Sequence, residues 1–510
     1  MKRRNFLKIA GVGSASVIAT PNVNMAFANG AFEPSLIKIN PSPRFELSPW
    51  LYMQFMEPLG VTDSSVEAAW DHKQDKWRDD VVQVTKELAP GMIRWGGILS
   101  SYYRWREAVG PREKRRPMLN IQWNGIESNQ IGTAEFVDFC NQVEADPLMS
   151  VNFESDGKPA WSATPKGDIR SGNAEEAAAW VDYCNNPSNK ERKKHGFENP
   201  HNIKVWQIGN ETSYGNDGFD LNTAAQKTVE FAKAMKKVDP SIQLIGWGDS
   251  GWSKRMIDIS GEHLDYVAFH HMYDPGHHLK NSPLRDNKYR EDPAATWEIL
   301  MDGYKPHEEK IKKMREEVSG KGMPLALTEC HYALPGRNRC EVLSSWAAGV
   351  SYARLMNLHE RNGDLLKIAT LADFCGTRWQ VNAIMIPVPG GRSFMMPVAK
   401  IMSLYRQHTG KDFLDVQNVS DDLDITASRS GNIVYLHVVN TSRIRTVKTF
   451  INVENMEISS GKAFELAADP TFEIIRAEND PLKPRERNLN MDEPVEFPAA
   501  SVTAVELNIT

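Results

Sequence analysis

At 510 residues, the chain exceeds one ordinary core and leaves room for a large barrel beside a second domain. A net charge of −6 at pH 7 argues against nucleic acid or an anionic membrane as partner, and the basic run GPREKRRP (110–117) reads as a solvated loop. Five cysteines form no disulfide framework: Cys140 and Cys184 fall in helix-like patterns and Cys330 in an apolar strand, where it could pair with Cys340.

Residues 1–28 read as an export leader, with a basic start, a short apolar stretch from Ile9 to Ala19 and an Ala26-Phe27-Ala28 triplet of the cleavage type. Arg3 and Arg4, followed by Asn5, Phe6, Leu7 and Lys8, look like a bacterial twin-arginine signal, which predicts a periplasmic or extracellular protein. No segment reaches the roughly 18 consecutive apolar residues of a spanning helix, so no membrane span is expected.

Short apolar runs then alternate with amphipathic stretches. Strands are predicted over 50–56, 92–95, 147–153, 205–211, 242–248, 265–273, 324–332 and 366–374, with helices over 132–145, 173–186, 222–238 and 296–319. Thr133 with Glu135, and Asn173 with Glu175 and Glu176, supply capping residues and acids at helix starts. Eight strands alternating with helices predict a (β/α)₈ TIM barrel over 49–408. From 409 to 510 the pattern changes to alternating apolar and polar residues with turns at Ser430-Gly431 and Ser460-Gly461, which predicts a C-terminal antiparallel β-sandwich. The segment 29–48, containing LIKINPS, is expected to lend that sandwich a strand.

In such a barrel the carboxyl ends of the strands face the active site. Here they carry Glu57, Arg94, Asn152, Asn210 with Glu211, His270 with Tyr273, Glu329 and Asp373. Glu211 and Glu329, at the ends of the fourth and seventh strands, face each other across the mouth. Paired carboxylates suit glycoside hydrolysis: one protonates the departing oxygen while the other attacks the anomeric carbon or activates water.

With these residues in place, the sequence resembles family 51 of the glycoside hydrolases, the α-L-arabinofuranosidases, within the clan A retaining enzymes. MIRWGG (92–97), YYRWREAVGPREKRRP (102–117), GTAEFVDFCNQVEADPLMSVNF (132–153), EEAAAWVDYCNN (175–186), LDYVAFHHMY (264–273) and PLALTECHY (324–332) carry the resemblance. It implies an exo-acting, double-displacement hydrolase with Glu211 as acid/base and Glu329 as nucleophile. It also implies that Glu57 and Asn210 bind sugar hydroxyls, that Tyr273 holds the nucleophile, and that His270 occupies a strand-six histidine position. Arg94 could hydrogen-bond Glu329 and keep it charged. An oligo- or polysaccharide partner and a homo-oligomer follow from the resemblance, and neither a cofactor nor a metal is implied.

Three departures bear on which sugar fits: Ile98 replaces a sugar-contacting asparagine, Asp373 a glutamine, and Pro58 a histidine. The loop 161–172 is long, and its Lys166 and Arg170 would suit an acidic glycan. Trp105 and Trp252, in loops past strand ends, are candidate sugar platforms, whereas Trp206 reads as core. Xylose-like, galactofuranose-like and uronic-acid sugars, and endo action, stay open. A metal-dependent hydrolase, prompted by His270-His271 and His277-His278, would need ligands converging from several strands, and the first strand offers no His-x-His pair. A binding-only barrel would require a lost carboxylate.

Overall fold

The computed structural model describes residues 35–57, 66–120, 125–164, 167–334, 341–378, 380–388 and 390–510. The leader-like segment, Pro58, Lys166 and Cys340 lie outside these residues. Eight parallel strands succeed one another around a barrel: Gln54–Met56, Met92–Trp95, Asp146–Val151, Val205–Ile208, Gln243–Trp247, Tyr266–Tyr273, Leu325–Tyr332 and, in two pieces, Leu366–Ala369 and Asp373–Gly376. Closure occurs where Met53 N donates to the Ala369 carbonyl at 2.9 Å and Asp373 pairs beside Phe55. The eighth strand is broken at Thr370-Leu371-Ala372, where Thr370 Oγ1 donates to the Ala372 carbonyl at 3.0 Å and so satisfies locally a group that the ladder would otherwise use. The first strand is also shorter than its sequence suggests, because Pro49–Tyr52 turn as a 3₁₀ helix under the Ser48 cap.

Each strand leads into a helix: Asp79–Leu88, Thr133–Val143, Ala174–Asn185, Leu221–Val238, Ser253–Ser260, the pair Pro293–Asp302 and Lys305–Glu317, Trp346–Arg361 and Pro397–Gln407. Asn173, Asp220 and Ser345 accept hydrogen bonds from first-turn amides that have no partner inside the helix. At the second helix the cap is Gly132, whose amide donates to Glu135, while Thr133 Oγ1 accepts from the Trp180 indole. The single helix expected over 296–319 is two, because Pro306 opens a new first turn and Gly303 passes where a Cβ would lie 2.9 Å from the Tyr332 hydroxyl. Within 110–117, Arg115 is buried rather than solvated: its guanidinium holds Glu135 at 2.8 Å and the Gly110 and Gln130 carbonyls.

The β-sandwich is one nine-stranded sheet folded over its own core, in the order Arg485–Leu489, Ile458–Ala467, Ser501–Ile509, Ile433–Asn440, Leu423–Ser430, Asp412–Gln417, Ser35–Glu46, Val447–Val453, Val495–Phe497. Val438 and Leu507, on neighbouring strands toward one end of that order, share one buried cluster with Ile37 and Phe497 toward the other. Ser35–Glu46 pairs antiparallel with Asp412–Gln417 but parallel with Val447–Val453, a departure from a purely antiparallel sheet caused by a strand that arrives from before the barrel. Cys140, Cys184, Cys330 and Cys375 are free and buried.

Helix Trp346–Arg361 joins barrel to sandwich. Its buried Glu360 accepts from Tyr52 Oη at 2.8 Å on the barrel side and from Thr426 Oγ1 at 2.5 Å on the sandwich side, with His437 Nδ1 at 2.9 Å. Burial raises the Glu360 carboxyl, but His437, Thr426 and Tyr52 more than offset this and hold it below the ordinary range. Glu360→Ala leaves three buried groups without their acceptor, so a loss of roughly 3–5 kcal/mol is expected at neutral pH. A group depressed in the folded state stabilises above its unfolded pKa, so the deficit should shrink as acid protonates Glu360 in the parent protein. Urea midpoints of the two proteins at neutral and acid pH check this.

Candidate active site

Arg94 is the centre of the site. It lies on the second barrel strand with no exposed surface, and its guanidinium spreads under the barrel mouth: Nη1 donates to Glu329 Oε1 at 2.7 Å, Nη2 to Asn210 Oδ1 at 2.7 Å and Nε to Gln207 Oε1 at 2.9 Å. A planar fork with fixed donors can orient three side chains from two other strands at once. The Gln207 amide then donates to the Gly209 carbonyl at 2.9 Å and fixes the start of the turn that carries Glu211.

The fourth strand stops at Ile208, earlier than the sequence pattern suggests. Gly209 and Glu211 both adopt left-handed backbone, with φ of 85° and 54°. The turn presents the Glu211 side chain to His270 Nδ1 at 3.1 Å, and His270 in turn lies 3.6 Å from Glu329 Oε2. One atom each from Glu211, His270 and Glu329 lies within 4.8 Å of the other two. These three could hold a cation, although Arg94 already supplies a positive charge to Glu329.

Burial sets the protonation states. It pushes the Glu211 carboxyl up to about 7, against the opposing charges of Arg94 and Lys158, and pushes the His270 imidazole down to about 4. His270 is therefore neutral near pH 7, with Nε2 at 2.9 Å from Thr328 Oγ1 and its ring edge-on to Trp247 at 4.7 Å. Glu57 is raised by burial and by the charge of Glu329, and it accepts from Leu99 N at 2.8 Å. That approach requires Gly97, at φ 153°, where a Cβ would lie 2.7 Å from Glu57 Cδ. Asn210 Nδ2 is buried without a hydrogen-bond partner among the described residues.

Other residues named from the sequence sit differently. Tyr273 is not a hydrogen-bond partner of Glu329: in the parallel pairing His270 lies opposite Glu329 and Tyr273 opposite Tyr332, three residues or about 10 Å further along. Its ring stacks on His271 at 4.3 Å and His307 at 5.4 Å. Asn152 spends its amide on the Tyr103 and Arg170 carbonyls and its oxygen on Ser155 N, so it pins a loop and is not available to sugar. Trp105 is no platform either: it is 2% exposed, stacked parallel on Trp180 at 6.1 Å. Trp252 packs partly buried against the core. Asp373 is buried with a carboxylate oxygen 3.6 Å from His331 Nε2. Arg170 pairs with Glu107 at 2.6 Å, which removes it as a free anion-binding cation. Sequence reasoning missed Gln207, Thr328 and Asp156, whereas Trp247, a polar-tipped aromatic at a strand end, was legible as a candidate for stacking on sugar and instead packs against His270.

Residues 84–290 match the family model described as the α-L-arabinofuranosidase 1 domain, a range that includes Arg94, Asn210, Glu211 and His270 and stops before Glu329. A curated relative, the intracellular exo-α-(1→5)-L-arabinofuranosidase of Acetivibrio thermocellus, is 33% identical over 249 residues, 45% of this chain and 46% of the relative. The match thus spans about half the length of such relatives. Among solved structures, an α-L-arabinofuranosidase from Thermotoga maritima in complex with arabinose superposes with a TM-score of 0.72 at 22% identity, over 93% of this chain and 100% of that one. A family 51 α-L-arabinofuranosidase from Bifidobacterium longum gives 0.75 at 21% identity, over 93% and 99%. The periplasmic or extracellular location expected from residues 1–28 is corrected by these findings: the Acetivibrio relative and two further curated ones are named intracellular, which points against it. No helix among the described residues is long and apolar enough to cross a membrane. Residues 84–290, within the barrel, thus match an α-L-arabinofuranosidase domain model, and the chain has the fold of the family 51 enzymes.

Proposed function

We propose that the protein is a retaining, exo-acting α-L-arabinofuranosidase that releases arabinose from plant-type or related polysaccharides. The observation that carries the reading is the spacing of the two carboxylates: oxygens of Glu211 and Glu329 lie within 4.8 Å, on the short side of the roughly 6.5–9.5 Å that leaves room for an inverting water. Glu329, charge-paired with Arg94, attacks the anomeric carbon. Glu211, protonated because burial raises it, gives its proton to the departing oxygen. Water, deprotonated by Glu211, then displaces Glu329 from the sugar and restores both groups. The unpartnered amide of Asn210 suits the sugar 2-hydroxyl, and Glu57 a second hydroxyl.

The test is turnover of nitrophenyl α-L-arabinofuranoside beside the corresponding xyloside, galactofuranoside and uronides, with the anomer formed first read by NMR. Arabinofuranoside turnover with retained configuration is expected. Turnover of another glycoside only, or an inverted product, overturns the sugar or the mechanism respectively.

A further inference from the structure

The loop after the third barrel strand makes a turn with an unusual backbone. Glu154, Ser155, Asp156 and Gly157 have φ of 46°, 56°, 55° and 76°, four consecutive left-handed residues of which three bear a Cβ. Each such residue costs on the order of 1–2 kcal/mol, so the turn persists only where its surroundings hold it. The holding group is Asp156. It is 2% exposed, and both carboxylate oxygens are occupied: Oδ1 accepts from Asn210 N at 3.1 Å and from Thr212 Oγ1 at 2.6 Å, and Oδ2 from Ser101 Oγ at 2.7 Å.

Asn210 and Thr212 are the two neighbours of Glu211. One buried carboxylate therefore grips the chain on both sides of the residue whose own backbone is left-handed, and ties it to the loop after the second strand through Ser101. Lys158 adds a third tether by donating to the Tyr214 carbonyl at 2.6 Å, while Tyr214 N donates to the Glu211 carbonyl at 2.9 Å. A buried carboxylate whose donors come from two different loops positions a short polar turn far more tightly than the turn could position itself.

We infer that Asp156 is the positioning residue for Glu211: its carboxylate fixes the left-handed turn at 210–212 and so aims the Glu211 acid at the departing oxygen. This rests on the reading of Glu211 as acid/base. An acid that is present but misaimed fails in proportion to how much the leaving group needs its proton.

The experiment measures kcat/KM of Asp156→Ala, Asp156→Asn and Glu211→Ala on aryl α-L-arabinofuranosides whose leaving groups run from dinitrophenyl to unsubstituted phenyl. For Asp156→Ala a loss of about 100-fold is expected with phenyl and only a few-fold with dinitrophenyl, within the 10²–10⁴ range of general acid catalysis. Asp156→Asn keeps an oxygen for Asn210 N and Thr212 Oγ1 and should recover most of the phenyl activity. An equal loss on every leaving group, or none, in folded variants overturns the inference. If Asp156→Ala does not fold, Thr212→Val, which removes one donor at constant volume, is read by the same slope. Glu211→Ala separates the two claims: if its own loss is independent of leaving group, the acid/base reading fails, whatever the Asp156 variants do.

Discussion

Removal of the proposed nucleophile, Glu329→Ala, is expected to abolish release of nitrophenol from the arabinofuranoside, with a loss on the order of 10⁶-fold, as for other nucleophiles that act as part of a unit. The size follows from the position. Glu329 is the group that Arg94 and His270 both address, so no neighbouring carboxylate can take its place without moving Arg94. Glu57, raised by burial and by the charge of Glu329, is one rival, but its Oε1 is committed to Leu99 N. Added formate should restore part of the turnover in the variant by entering the space vacated by the side chain, and the sugar formate should have the configuration opposite to the normal product. Removing one partner of a buried ion pair also destabilises, so the variant's melting must be recorded beside its rate. A folded Glu329→Ala with undiminished turnover would exclude Glu329 as nucleophile.

The second large effect is on pH dependence. As the proposed acid, Glu211 would act only while protonated, and burial lifts it to about 7. Below that value the proton is present and kcat/KM is at its plateau; above it, the rate should fall about tenfold per pH unit. Glu211→Gln should lose the fall together with some 10²- to 10⁴-fold of activity on poor leaving groups. The two changes must occur together: a basic limb that survives in Glu211→Gln belongs to another group. His270 is not a candidate for that limb, because burial pushes it down to about 4 and it is already neutral across the range.

The fold was legible because the barrel repeats one simple instruction eight times, an apolar run followed by an amphipathic one. It was least legible where a local choice overrode the run. Thr370-Leu371-Ala372 is as apolar as the strand around it, and only the Thr370 hydroxyl, turned onto the Ala372 carbonyl, interrupts the ladder. The break before Lys305 was signposted by Gly303 and Pro306, and a stricter reading of those two would have found it. In the site, strand-end position brings Arg94, Asn210, Glu211, His270 and Glu329 to attention because backbone direction dictates which end faces the mouth. The same rule overreached at Asn152, Tyr273 and Trp105. Whether a strand-end side chain turns inward, stacks sideways or binds its own loop is decided by packing partners many residues away. Asp156 lay beyond reach for the opposite reason: a loop aspartate beside glycine reads as a turn former, and nothing local reveals that its oxygens are claimed by residues 101, 210 and 212.

The order of the nine-stranded sheet has a consequence for synthesis. Ser501–Ile509, made after every other strand of the sheet, form an inner strand between Ile433–Asn440 and Ile458–Ala467, and Ser35–Glu46 waits for partners more than 350 residues later. On a ribosome the barrel can be complete while the sheet is still divided. During that interval the faces of Trp346–Arg361 and Pro397–Gln407 that pack against Leu423–Ser430, Ile433–Asn440 and Ser501–Ile509 stand open to water. The chain is then most exposed to aggregation and to binding by chaperones, and substitutions in the final strand should reduce the yield of folded protein more than they reduce the activity of the molecules that do fold.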